Sequence, residues 1–183
     1  SCEVTFFDPL PRTAVEAAEA LLRNLGATTS KDEGSKLTST GQKLTQLPLH
    51  PRLARLLLSG AESGIVDDAA VVAAMLSERD ILQSSRAFGT DSRKTHSIAS
   101  ERSDLGYRLD RFRWAASERF ARHALSREGL EPDTVQRVER ARRQLVERAR
   151  PFAKATRLGS NQTEEALLRA ILLGFPDRVA RRR

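Results

Sequence analysis

The sequence is poor in the residues that most often anchor a catalytic or metal site. Its 183 residues include one cysteine, one methionine, one tryptophan and one tyrosine, and aromatic residues make up 5% of the chain. A single cysteine, Cys2, excludes an internal disulfide framework and any cysteine-based zinc site, and it fits a reducing compartment, with the cytoplasm as the default. No stretch approaches the roughly 18 apolar residues of a membrane span. The longest apolar patch, Ala69–Leu76, meets charge within a turn or two, so it reads as a helix face, and no membrane association and no secretory signal are expected. The glycines form no Gly-x-x-x-x-Gly-Lys-Ser/Thr loop, which removes the usual cradle for nucleotide phosphates. The chain opens on Ser1 with its methionine at Met75, which predicts a piece of something longer.

What is present is charge and helical periodicity. Hydrophobic residues make up 39% and charged residues 30%, a composition suited to one ordinary globular domain or two small ones with a large solvated surface. The charge is uneven. Residues 1–92 carry 9 Lys/Arg and 12 Asp/Glu, a net of −3, whereas residues 93–183 carry 22 and 12, a net of +10. The excess is mostly arginine, whose planar fork suits phosphates and stacked bases. It predicts either an acidic partner for the second half or a solvated arginine-rich face.

The order of elements predicts a mainly α chain. Phe6-Phe7-Asp8-Pro9-Leu10-Pro11 is an extended entry, because each residue before a proline is steered away from helix. Val15, Ala18, Leu22 and Leu25 then repeat at helical spacing, with Gly26 at a left-handed cap position. Residues 27–36 are polar and turn-rich, as in a hairpin tip or wing. A short threonine-capped helix over 37–47 follows, and a second opens at Pro51, where the missing N–H of proline costs nothing. This order predicts a small winged-helix domain with a minor β hairpin over residues 1–65. Residues 66–183 are expected to form a helical bundle. Its first helix, over 67–80, is capped by Asp67, and a loop at 84–103 separates it from the next. The stripe Leu105, Leu109, Phe112, Ala116 and Phe120 marks that next helix, with Tyr107 and Trp114 nearly opposite. Pro132 opens a long helix with the seam Val135, Val138, Ala141, Leu145, Ala149 and Phe152, and Asn161 caps the last one.

One segment carries a specific resemblance. Residues 37–58, Leu-Thr-Ser-Thr-Gly-Gln-Lys-Leu-Thr-Gln-Leu-Pro-Leu-His-Pro-Arg-Leu-Ala-Arg-Leu-Leu-Leu, resemble the pattern that follows the motor domains of DEAH-box helicases. Phe7-Asp8-Pro9, residues 21–27 and Leu76-Ser77-Glu78-Arg79-Asp80 strengthen the likeness. Residues 104–109 and 174–183 look more like the bacterial HrpB branch than other branches. The resemblance implies a winged-helix domain followed by a ratchet-like helicase-associated bundle. It implies partners too: RecA-like motor domains in the same protein, and a single strand of RNA or DNA drawn between them.

The catalytic parts of such an enzyme are missing. There is no Asp-Glu-Ala-His box and no Gln-Arg-x-Gly-Arg-x-Gly-Arg motif, so ATP and magnesium belong to upstream domains and this chain is expected to be no enzyme, with no cofactor or metal of its own. His50, His96 and His123 are scattered over different elements. His50 reads as a helix-entry residue, and the pairs Asp67-Asp68 and Glu164-Glu165 read as favourable charge in first helical turns.

Pattern alone selects Arg111, Trp114 and Arg122, expected on one helical face, and Arg137, Arg140 and Arg143 as strand contacts: arginines for phosphates, the tryptophan for a base. Two other readings stay open. One is a protein-docking module of the helicase. The other is a winged-helix nucleic-acid-binding regulator, for which Arg52 and Arg55 are the available polar groups on the second helix of the pair.

Overall fold

The computed structural model describes residues 10–29, 36–78, 80–82, 103–156 and 158–179. Apart from Ser103, the loop expected at 84–103 falls outside the described residues, as do the Phe7-Asp8-Pro9 entry and the hairpin tip at 30–35.

Helix α1 (Arg12–Asn24) follows Pro11 and ends where Gly26 takes φ +69. The Gly26 and Ala27 N–H groups close back on the carbonyls of Arg23 and Leu22, both at 2.8 Å, so the terminal carbonyls are satisfied. Although α1 is amphipathic, none of its residues is buried. Past the tip, Thr38 caps α2 (Ser39–Leu44): its Oγ1 accepts from the Gly41 N–H at 2.9 Å and donates to the Gly26 carbonyl at 2.6 Å. Gly41 is needed because a Cβ there would strike the Ala27 carbonyl.

The expected wing is slighter than the sequence suggested. Among the described residues there is no β-strand, and the minor hairpin is reduced to one antiparallel bridge, Thr28 with Leu37. The reason is local. Gly26 closes α1 two residues before the bridge and Thr38 opens α2 one residue after it, which leaves no length for a ladder on the helix side of the bridge.

Helix α3 (Pro51–Glu62) has proline in its first turn, and His50 Nδ1 accepts the Arg52 N–H at 3.4 Å, so His50 does serve helix entry. Helix α4 (Val66–Ser77) differs from expectation at its start. Ile65, not Asp67, is the N-cap, and no side chain caps the helix. Gly64, at φ +81, lets Ile65 bond back to the Gly60 carbonyl at 2.9 Å and bury its side chain, so the helix begins early and Asp67 is left to reach outward.

Helix α5 (Asp104–Ser117) also stops short of its predicted stripe. Arg119 and Phe120 adopt φ 53 and 57, left-handed values that end the helix, and Phe120 folds back to place its ring 5.6 Å from that of Phe112. The buried seam is therefore Leu109, Phe112 and Ala115, while Ala116 is exposed. Helix α6 (Arg122–Arg127) is short. Helix α7 (Pro132–Ala149) opens on proline as expected, buries Val135, Val138, Leu145 and Ala149, and runs into a 3-10 turn, Arg150–Phe152. Helix α8 (Ser160–Gly174) has Gly159, not Asn161, as its N-cap. Gln162 Oε1 accepts the Gly159 N–H at 3.0 Å, leaving Asn161 inside the first turn, and Gly174 leads into a last turn, Pro176–Arg178.

The core is built on α4. Ala69 through Met75 are buried without interruption, so this helix is covered on all sides. Helix α3 packs on α4 and α8, and α7 packs on α4. The α3–α4 crossing is close because Gly60 has no Cβ to meet Ala69. One continuous apolar cluster runs from Ala27 through Leu56 and Leu57 of α3 to Val138 of α7 and Ala170 of α8, so it takes residues from both sides of position 65.

Candidate nucleic-acid interface

Four arginines of the second half pair with acids of the first half. Helix α5 sends Arg108 to Asp80, at 2.7 and 3.1 Å, and Arg113 to Asp68, at 2.8 Å. From α7, Arg142 reaches Asp67 at 2.6 Å and Arg137 reaches Glu78 at 3.3 Å. The acids lie at both ends of α4, so two neighbouring helices grip that helix electrostatically as well as through its apolar middle. Part of the acidic partner suggested by the charge asymmetry is thus the chain's own first half. The hydrogen bond from Arg108 holds the Asp80 carboxyl below the usual carboxylate range, against the opposing effect of partial burial.

A reverse link joins the ends of the fold. Arg52 of α3 makes a two-pronged pair with Asp177, at 2.5 and 2.8 Å, touches the Gly174 carbonyl at 3.4 Å and lies 5.6 Å from the Phe175 ring centre. Bonded in this way, Asp177 is lowered to about 2. Arg52 is one of the two groups, with Arg55, that a winged-helix reader would have for bases, and here it is held by the last turn of the fold.

The six residues singled out by pattern separate into three situations. Arg111 and Trp114 do come together on α5, with the guanidinium carbon 5.1 Å from the indole ring centre. Arg111 is largely covered and donates to the carbonyl and carboxylate of Glu128, so one face of the tryptophan is already occupied. Arg122 does not share that face. It opens α6, beyond the left-handed break at Arg119 and Phe120, and pairs with Asp133 at 2.7 Å. On α7, Arg137 turns to Glu78 and to the Thr134 hydroxyl, whereas Arg140 and Arg143 are exposed. Arg140 touches only the Gln136 carbonyl, at 3.4 Å, among the described residues.

Arg143 belongs to a small ionic cluster that pattern reading missed. Its Nε donates to Glu139 at 2.6 Å, and the same carboxylate accepts two bonds from Arg142, at 2.7 and 3.0 Å. Glu139 is buried, and its carboxyl is held below the usual range chiefly by the Arg142 hydrogen bond. The spacing of 139, 142 and 143 along one helix was the available signal, since residues three and four apart face each other. Chemically, the region presents fixed guanidinium groups and apolar surface. Among the described residues no group of three or more His, Cys, Asp or Glu is placed to hold a metal ion, and no helix is long and apolar enough to cross a membrane.

Residues 50–156, which run from the start of α3 past the end of α7, match the family described as "Helicase associated domain (HA2), ratchet-like". The chain belongs to this helicase-associated family. Individual relatives agree. The helicase-associated region is 36% identical over 77 residues to the ATP-dependent RNA helicase HrpA of Escherichia coli, which covers 41% of this chain and 6% of that protein. It is 26% identical over 178 residues to the pre-mRNA-splicing factor ATP-dependent RNA helicase prp22 of Schizosaccharomyces pombe, which covers 97% of this chain and 15% of that protein. Against the DExH-box ATP-dependent RNA helicase DExH2 of Arabidopsis thaliana it is 33% identical over 85 residues, or 44% of this chain and 5% of that protein. The region therefore spans a small part of the relatives it matches, and it fits the C-terminal region of DEAH-box helicases.

Proposed function

We propose that this helicase-associated region is a non-catalytic clamp that holds a single strand of RNA or DNA against RecA-like motor domains of the same protein. The observation that carries the reading is a helicase-associated match whose longest helix, α7, turns exposed arginines away from the core. Phosphate contact by arginine supplies affinity without sequence information, which suits a region that must let any sequence pass. ATP and magnesium act in the motor domains under this reading, because the sequence here carries no glycine-rich phosphate loop. Residues 1–65 then act as a winged-helix module and 66–183 as the ratchet-like bundle, joined by a shared core. The likeness of residues 104–109 and 174–183 favours an HrpB-type parent, and the single cysteine fits the cytoplasm.

A docking role is also favoured by one feature. Helix α1 is amphipathic yet has no fully buried residue: Leu22 is only partly covered, Val15 is exposed, and Leu10 is exposed just before the helix. The two readings separate in a titration of the chain with single-stranded RNA and DNA at several salt concentrations. Strand contact predicts binding that falls steeply with salt. Absence of binding at low salt, up to tens of micromolar, rejects the clamp and leaves docking.

A further inference from the structure

Arg143 is unusual among the exposed arginines in being both outward and fixed. Its side chain is 70% exposed, yet its Nε is tied to a carboxylate that is only 10% exposed. That carboxylate, Glu139, is in turn fixed by Arg142, which is anchored to Asp67 of α4. A chain of charged hydrogen bonds thus runs from the core helix to the surface. It ends on the two terminal amino groups of Arg143, which have no hydrogen-bond partner among the described residues. On a helix turning about 100° per residue, Arg140 lies about 60° from Arg143, and Arg150, the C-cap of α7 with helical backbone angles, about 20° from it. Arg140 has no carboxylate partner among the described residues, and Arg150 has only a 3.8 Å contact with Glu147.

The geometry points to a preformed phosphate-binding stripe along the outward face of α7 and its C-cap, in which Glu139 positions Arg143 beside Arg140 and Arg150 for the backbone of a single-stranded nucleic acid. The inference rests on the strand-clamp reading. Glu139 and Asp67 match Arg142 and Arg143 in formal charge, so the cluster adds geometry and not net attraction. Net attraction comes mainly from Arg140. A guanidinium held at Nε keeps its terminal fork free and oriented, so less side-chain freedom is lost when a phosphate arrives.

Two views of Glu139 then differ in sign. If charge alone governed binding, Glu139→Gln would tighten it, because a carboxylate beside a polyanion is removed. Positioning predicts the reverse. The test is fluorescence anisotropy with labelled oligouridine and its deoxy counterpart across a salt series, using the full chain and the variants Glu139→Gln, Arg143→Ala, Arg143→Lys and Arg148→Ala. Arg143→Ala should weaken binding about tenfold at low salt and reduce the salt slope by about one contact. Glu139→Gln should weaken binding several-fold. Arg143→Lys should keep the slope and still lose affinity. Arg148 is exposed and lies about 140° around the helix from Arg143, so Arg148→Ala should change little.

Unchanged or tighter binding by Glu139→Gln overturns the proposal, and so does an Arg148→Ala loss equal to that of Arg143→Ala, which marks a diffuse field of cations. Should Glu139→Gln fail to fold by circular dichroism, Arg143→Lys decides, since Glu139 is then intact: affinity equal to the parent chain defeats the idea. Strand binding untouched by all these variants sinks the stripe alone, whereas no binding by the parent chain sinks the clamp reading with it.

Discussion

The inner and outer sides of α7 use arginine differently. Toward α4, Arg137 and Arg142 meet Glu78 and Asp67, and each pair spans two helices. Away from α4, Arg140 and Arg143 stand exposed, and neither bonds to another helix. Net charge cannot distinguish these uses, because each guanidinium adds the same unit to it. Partners distinguish them: the inward arginines reach acids at the two ends of α4, whereas the outward ones bond only within α7. A strongly basic segment can therefore be in part a fastening, with only the remainder available to a ligand.

If the inner side is fastening laid over an apolar core, the core should dominate stability. Leu57 of α3 is fully buried in the cluster that α4 organises. Leu57→Ala is expected to cost about 2–5 kcal/mol, read as a fall in the urea midpoint with little change in slope. The inward arginine comes next. Arg142 is 23% exposed and holds both Asp67 and Glu139, so Arg142→Ala leaves a buried carboxylate with one fewer partner and should cost about 1–2 kcal/mol. Arg140→Ala on the outer side should fall within about 0.5 kcal/mol of no change. Equal losses for Arg142→Ala and Arg140→Ala in the same urea titration would erase the distinction between the two sides.

The two sides also differ in how far the sequence exposed them. Helix starts at Pro51 and Pro132, the cap at Gly26 and the seam of α7 were legible because each depends on neighbours a few residues away. Local spacing also linked Glu139 to Arg142 and Arg143, although pattern reading passed over it. The inward pairings were not legible: Arg137 meets an acid 59 residues away, Arg142 one 75 away, and Arg52 one 125 away. Such partners are set by how helices cross, which periodicity does not encode. For the same reason the six expected contacts divided, with Arg122 on a separate short helix and Arg111 turned against Trp114 and Glu128. The minor hairpin is slight for a different reason: polar composition does not reveal that helices flank the Thr28–Leu37 bridge within a few residues.

The smallest expected effect tests the fastening idea with the signs of the two halves exchanged. In the Arg52–Asp177 pair the cation belongs to the first half and the acid to the last turn. Asp177 titrates at about 2 in the fold, below the roughly 3.9 of an unfolded aspartate. A carboxyl whose folded value is depressed stabilises the fold above its unfolded value, and that contribution disappears as pH falls from about 4 to about 2. Asp177→Asn should therefore lower stability modestly at pH 6 and make no difference near pH 2. Urea midpoints of the two chains, measured at intervals between those pH values, should converge on acidification. A constant gap between them would mean that the aspartate acts through packing of the last turn and not through its charge. Arg52 would then be held mainly by the Phe175 ring and the Gly174 carbonyl, neither of which titrates.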